Sequence, residues 1–149
     1  MRLLNFSVGR VQTQTMFGEA VPTAMVKAPV PRPWMIGPDG PVGNEKALHV
    51  DDLFVYARTQ YSYWAAVFGV DPARWPDGFF GENLTLDEMD EATLRLGDVY
   101  AVGPEVKIVV AGPRTPCWKV AWRLEQPMSI LKQMALSGHT GTYFSVLVS

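Results

Sequence analysis

The sequence predicts a mainly β domain with α-helical connectors, and three observations carry that expectation. Short apolar runs rich in Val, Ile, Tyr and Phe recur along the chain, as half-buried pleated surfaces prefer. The 12 prolines and 13 glycines are spread between those runs and not pooled in a linker, so the chain turns often. Only two segments carry an apolar stripe at helical spacing. At 149 residues the chain has the length of one domain with one hydrophobic core.

Strands are expected over Leu3–Val8 and over residues 24–26, 53–56, 93–96, Val99–Val102, 106–111 and 143–148. The stretch 93–111 reads as a meander, with turns at Gly97-Asp98 and Gly103-Pro104. One helix is expected where Tyr61, Trp64, Val67 and Phe68 form a stripe ending before Gly69. A second is expected over residues 127–137, with Pro127 in the first turn, Ile130, Leu131 and Met134 as the stripe, and Gly138 as the cap. Between residues 8 and 44, Pro29, Pro31, Pro33, Pro38 and Pro41 deny ladder donors, so much of that stretch is expected as extended loop.

Composition narrows the function classes. Thirteen basic against fifteen acidic side chains leave a net charge of −2, which draws no polyanion, so nucleic acid is not an expected partner. No apolar run approaches the roughly 20 residues that span a bilayer, and Met1-Arg2-Leu3-Leu4-Asn5-Phe6 is not a secretory leader. A single cysteine excludes an internal disulfide, so the cytoplasm is the expected compartment. His49, His139 and Cys117 are too few for a structural zinc site, and pyridoxal phosphate is not expected.

The most informative segment is Gly112-Pro113-Arg114-Thr115-Pro116-Cys117-Trp118-Lys119. It leaves a strongly apolar strand, and its prolines stiffen an extended platform. If the extension persists, Thr115, Cys117 and Lys119 share one face, while Pro116, Trp118 and Val120 turn toward packing. Cationic neighbours enrich a thiolate, the form that attacks electrophiles and binds soft metals. By residue type alone a lone cysteine is more commonly a small buried hydrophobe, and the proline-bracketed, cation-flanked setting brings the two readings near even. A second cluster is Phe79-Phe80-Gly81-Glu82-Asn83-Leu84-Thr85. There Asn83 offers one acceptor and two donors, although Gly-Glu-Asn is also ordinary turn composition.

Together these clusters resemble the molybdenum-cofactor sulfurase C-terminal (MOSC) family, in the branch of the 6-N-hydroxylaminopurine resistance proteins. The matching residues are Phe80-Gly81-Glu82-Asn83-Leu84-Thr85, Leu96-Gly97-Asp98 and Pro113-Arg114-Thr115-Pro116-Cys117-Trp118-Lys119, in order. Weaker matches are Val8-Gly9, Tyr61-Ser62-Tyr63-Trp64 and the run from Gly141 to Leu147. The resemblance implies a MOSC-type β-barrel whose cysteine ligates molybdenum, or accepts activated sulfur, in a molybdopterin cofactor. It implies Cys117 as metal ligand and catalytic residue, with Arg114, Thr115, Lys119, Glu82 and Asn83 lining a pterin and phosphate pocket. The implied chemistry is reduction of small N-hydroxylated substrates, with electrons from an external reductase.

Two departures from the family pattern stand out. The family's glycine-rich loop is replaced by the stretch 40–52, where the resemblance sets His49 at the histidine position of the cofactor pocket without its glycines, and a surface or turn histidine is the more common alternative. Relatives also continue beyond Val148-Ser149, and a missing strand would leave an edge that a second copy could cover as a homodimer. Besides the enzyme, two other readings are a non-catalytic carrier of the cofactor or its sulfur, and a degenerate barrel with a structural cysteine.

Overall fold

The computed structural model describes residues 1–46 and 52–147. Its frame is a seven-stranded curled sheet with helices on one side. The central strand, β7 (Leu53–Ala57), is buried at every position. Its five apolar side chains alternate across the sheet. Leu53, Val55 and Ala57 enter a core with Phe6, Leu84, Ile108, Val110 and Phe144. Phe54 and Tyr56 enter a second core beneath the helices with Tyr61, Trp64, Phe80, Val120 and Met134. Burial on both faces explains why this strand reads as a continuous apolar run.

The neighbours of β7 follow in register. β8 (Leu84–Leu86) runs parallel to it, with Val55 opposite Leu84. β1 (Leu3–Val8) then pairs antiparallel to β8, with Phe6 opposite Leu84. On the other flank β11 (Thr142–Leu147) pairs antiparallel with β7, and β10 (Val106–Pro113) pairs with β11. The last strand is β9 (Val99–Val102), and β4 (Ala28–Pro29) closes the opposite flank. The result is a mostly stranded half-barrel with three helices, and the mainly β expectation stands.

Helix α1 (Arg58–Phe68) ends at Gly69, which is left-handed at φ 68°. Tyr61 and Trp64 are fully buried, whereas Val67 is 42% exposed, so the stripe is narrower than its spacing suggested. Helix α3 (Ile130–Ser137) ends on left-handed Gly138. It starts at Ile130, because Pro127 and Met128 form a turn whose carbonyls accept from Ile130 and Leu131 N–H.

Several expectations are corrected. Residues 24–26 are not a strand, since the pairing of β3 (Glu19–Thr23) ends at Thr23. Residues 93–96 are not one either, because Asp90 caps a short 3₁₀ turn, Glu91–Thr93, through Ala92 N–H. The meander is therefore the β9–β10 hairpin alone. Within the stretch read as loop, β2 (Gln12–Met16) and β3 form a hairpin, and Ile36–Gly37 (β5) pairs with Gly40–Pro41 (β6). The extended platform ends at Cys117, since residues Trp118–Leu124 form helix α2. Val120, Ala121 and Leu124 bury its inner face, and Trp122 Nε1 donates to Thr15 O at 3.1 Å. Apolar burial outweighed the extension imposed by the prolines.

Gly141 shows how tightly β11 meets β7. Its φ is +91°, and an added Cβ would lie 2.2 Å from Phe54 Cε2 and 2.5 Å from Cζ. Gly141→Ala is therefore expected to cost about 2–4 kcal/mol of folding free energy, read from the urea midpoint. A loss under about 0.5 kcal/mol, the range of ordinary surface changes, would contradict this packing.

Candidate functional site

Several separate stretches of chain converge on Cys117. It lies at the N-terminal cap of α2, half-buried, and opens into a pocket of about 60 Å³. Around that pocket stand Lys27, Lys46, Arg114 and Lys119, with Asn44, Asn83 and Phe54 between them. Glu45 is the carboxylate among its lining residues. Four cations and a thiol around so small a volume form an anion-seeking site with one soft ligand.

Each cation is placed differently. Arg114 leaves the end of β10, where its backbone N–H donates to Gly141 O at 2.9 Å. Its guanidinium donates to Phe80 O at 2.7 Å and lies 4.4 Å above the Phe54 ring. Such packing fixes the planar group while leaving donors for a ligand. Lys27 donates to Ala24 O at 2.5 Å. Burial, then the nearby Arg114 charge, lower its pKa from 10.5 to about 8, opposed by Glu82. Gly9 lies beneath it, where a Cβ would come within 2.1 Å of Ala24 O and 2.9 Å of Lys27 Nζ. Lys46 pairs with Asp52 at 3.2 Å. Lys119, on the first turn of α2, makes no hydrogen bond or ion pair among the described residues.

The sequence-predicted residues separate into distinct places. Cys117, Arg114, Lys119 and Asn83 meet at the pocket. Thr115 instead lines a broader cleft of about 1060 Å³ on the other side of the Arg114–Pro116 segment, with Gln60, Glu91 and His139. Because α2 starts at Trp118, the alternation of Thr115, Cys117 and Lys119 on one extended face does not hold, and Cys117 and Lys119 meet through the helical turn. Asn83 spends its amide on the protein. It accepts from Phe54 N–H at 3.0 Å and donates to Ser7 O and Asn44 Oδ1, each at 3.2 Å. It frames the pocket and leaves recognition to the cations.

Glu82 is fully buried beneath the pocket. Its carboxylate accepts from Tyr61 OH at 2.5 Å, Phe80 N–H at 3.1 Å and the Thr85 hydroxyl at 3.1 Å. Burial holds its pKa above the usual carboxylate range, against the pull of Tyr61, its own backbone N–H, Thr85 and the Arg114 charge. His49 lies outside the described residues. Sequence reading missed Lys27, Lys46 and Asn44. A signal existed for Lys27, a lone lysine within Ala24-Met25-Val26-Lys27-Ala28-Pro29.

Comparison with known proteins fits this arrangement. The sequence profile of the MOSC domain matches residues 41–149. The chain belongs to the MOSC domain family. It is 31% identical to protein YiiM of Escherichia coli over 93% of this chain and 62% of that protein. It is 29% identical to a protein named reductase from Gibberella moniliformis, over 97% of this chain and 26% of that one. This MOSC chain thus spans less than two thirds of the length of those relatives. The crystal structure of YiiM from Geobacillus stearothermophilus superposes with a TM-score of 0.73 at 28% identity, over 98% of this chain and 67% of that one. That of E. coli YiiM gives 0.74 at 26% identity, over 99% and 63%. Among the described residues no helix is long and apolar enough to cross a membrane.

Lys27 gives the site a pH signature. Unfolded, it holds its proton to about pH 10.5; folded, only to about 8. Between those values the unfolded state binds more protons, so stability rises with pH across that window, by up to about 3 kcal/mol. Lys27→Met is expected to flatten that rise in urea midpoints measured from pH 7 to 10.5. Equal slopes in both proteins would contradict the burial of this charge.

Proposed function

We propose that this MOSC domain holds a molybdenum cofactor through Cys117 and reduces small N-hydroxylated compounds with electrons from an external reductase. The observation that carries the reading is the pocket itself, where one thiol opens among four cations. The donor set suits the group: a soft thiolate for the metal and ammonium and guanidinium groups for an anionic phosphate. The relative named a reductase supports the direction of the chemistry.

When bound, the cofactor supplies a two-electron redox centre, and the protein supplies binding, orientation and electrostatics. The Cys117 sulfur would hold the metal. Lys27, Arg114, Lys46 and Lys119 would hold the anionic end, with Gly9 leaving room for the Lys27 side chain. The volume of about 60 Å³ is on the scale of one small anionic group, so the remainder of the cofactor would extend toward solvent. The net reaction breaks one N–O bond, takes up two electrons and two protons, and releases the amine and water.

The test is metal and pterin content after purification from a host that makes the cofactor. The wild-type protein is expected to carry molybdenum and pterin, and Cys117→Ser to lose at least about tenfold of both while folding normally, the scale of losing a strong ligand interaction. A serine variant that retained molybdenum at the wild-type level would remove Cys117 as the ligand.

A further inference from the structure

Glu82 has a fully buried carboxylate that does not line the pocket, although Gly81 and Asn83 on either side of it do. A desolvated carboxylate is costly unless it is compensated. Here the compensation comes from the Tyr61 hydroxyl, the Phe80 N–H and the Thr85 hydroxyl. The Tyr61 hydroxyl also accepts from Phe79 N–H at 3.1 Å, so the peptides of Phe79 and Phe80 are both anchored to one Tyr–Glu pair. The carbonyls of the same two residues hold the cations. Phe80 O accepts from Arg114 at 2.7 Å, and Phe79 O accepts from Arg123 Nε at 3.1 Å.

We propose that Glu82 is a positioning residue for the cationic pocket, fixing Arg114 through the Phe80 peptide without touching the ligand. The inference rests on the anion-pocket reading above and gives this residue a role different from lining. It has an electrostatic counterpart. Glu82 interacts favourably with Arg114, Lys27 and Arg123, yet no salt bridge within 4.0 Å joins it to any described cation. It offsets repulsion between cations and leaves their donors free for an incoming anion.

The two effects of removing the charge have opposite signs, which makes the role measurable. Glu82→Gln makes the pocket more positive, so charge alone predicts tighter anion binding. The amide keeps one oxygen for the Phe80 N–H but places N–H donors where Tyr61 and Thr85 donate, so the Tyr61 hydroxyl must turn and its hold on the Phe79 peptide, next to Phe80, is disturbed. Loss of position is expected to win, giving roughly tenfold weaker binding of inorganic phosphate by calorimetry, on the scale of one charge-assisted hydrogen bond.

The second readout is Arg114 itself, followed through its guanidinium ¹⁵N–H signals with no ligand added. They are expected to be resolved and slowly exchanging in the wild type, and averaged in Glu82→Gln. Thr85→Val is the milder variant, with about twofold weaker phosphate binding restored by Thr85→Ser. Unchanged guanidinium signals, or phosphate binding equal to or tighter than wild type, would overturn the inference. A wild-type protein that bound no phosphate, with guanidinium signals still lost in Glu82→Gln, would overturn the anion pocket and uphold the positioning role.

Discussion

The buried amide of Asn83 is the constraint on which the rest of this structure depends. A desolvated amide left without partners costs about 1–3 kcal/mol per unmet group, and here each is met by a different part of the chain. The backbone N–H of Asn83 donates to Phe54 O at 2.8 Å, and its carbonyl accepts from Ser7 N–H at 2.7 Å. The side chain repeats both connections, to Phe54 N–H and Ser7 O, and adds Asn44. One residue therefore ties β1 to β7 at the point where β8 begins. It directs Glu82 into the core and presents the pocket loop through Asn44. Asn44 Oδ1 accepts in turn from Gly9 N–H at 2.9 Å, so the pocket floor belongs to the same network.

On this frame the site is an electrostatic compromise. Four cations around a small pocket repel one another, and the fold tolerates them by several means. Arg114 spreads its charge over the Phe54 face and onto a carbonyl, Lys46 takes Asp52, and Lys27 sits against Ala24 O with a lowered pKa. The buried Glu82 faces these charges from below. An anion entering from solvent relieves the remaining repulsion, so folding stores part of the driving force for binding. The cost is borne by apolar burial in the two cores, about 1.5–3 kcal/mol for each large side chain removed from water. Trp64, Tyr56 and Phe6 are among those fully buried.

What was legible in the sequence followed from local physical signals. The apolar run of β7 and the glycine ends of α1 and α3 are short-range patterns, and the structure realises them. The proline-bracketed Cys117 segment does line a pocket, but its geometry differs from the extended one expected. Prolines at 113 and 116 argued for extension, and burial of Val120, Ala121 and Leu124 against the core of α1 decided for helix from Trp118 onward. Lys46 and Asn44 carried no local signal as site residues, and Lys27 only that of a lone lysine in an apolar run, because chain segments distant in sequence bring them to Cys117. Glu82 was expected at the pocket wall, whereas its side chain turns inward to Tyr61 and Thr85. Only the long-range pairing of α1 with the Phe80 turn determines that direction.

The central claim is that the only thiol of this chain and its cluster of cations share one small pocket. The most direct measurement is the rate at which neutral iodoacetamide alkylates Cys117, with and without inorganic phosphate at constant ionic strength. Because there is one cysteine, every alkylated molecule reports the same site. Phosphate held by Lys27, Arg114 and Lys119 should occupy the space beside the sulfur and slow the reaction in a saturable way. A rate that does not change with phosphate would place the thiol outside the anion pocket and contradict the account.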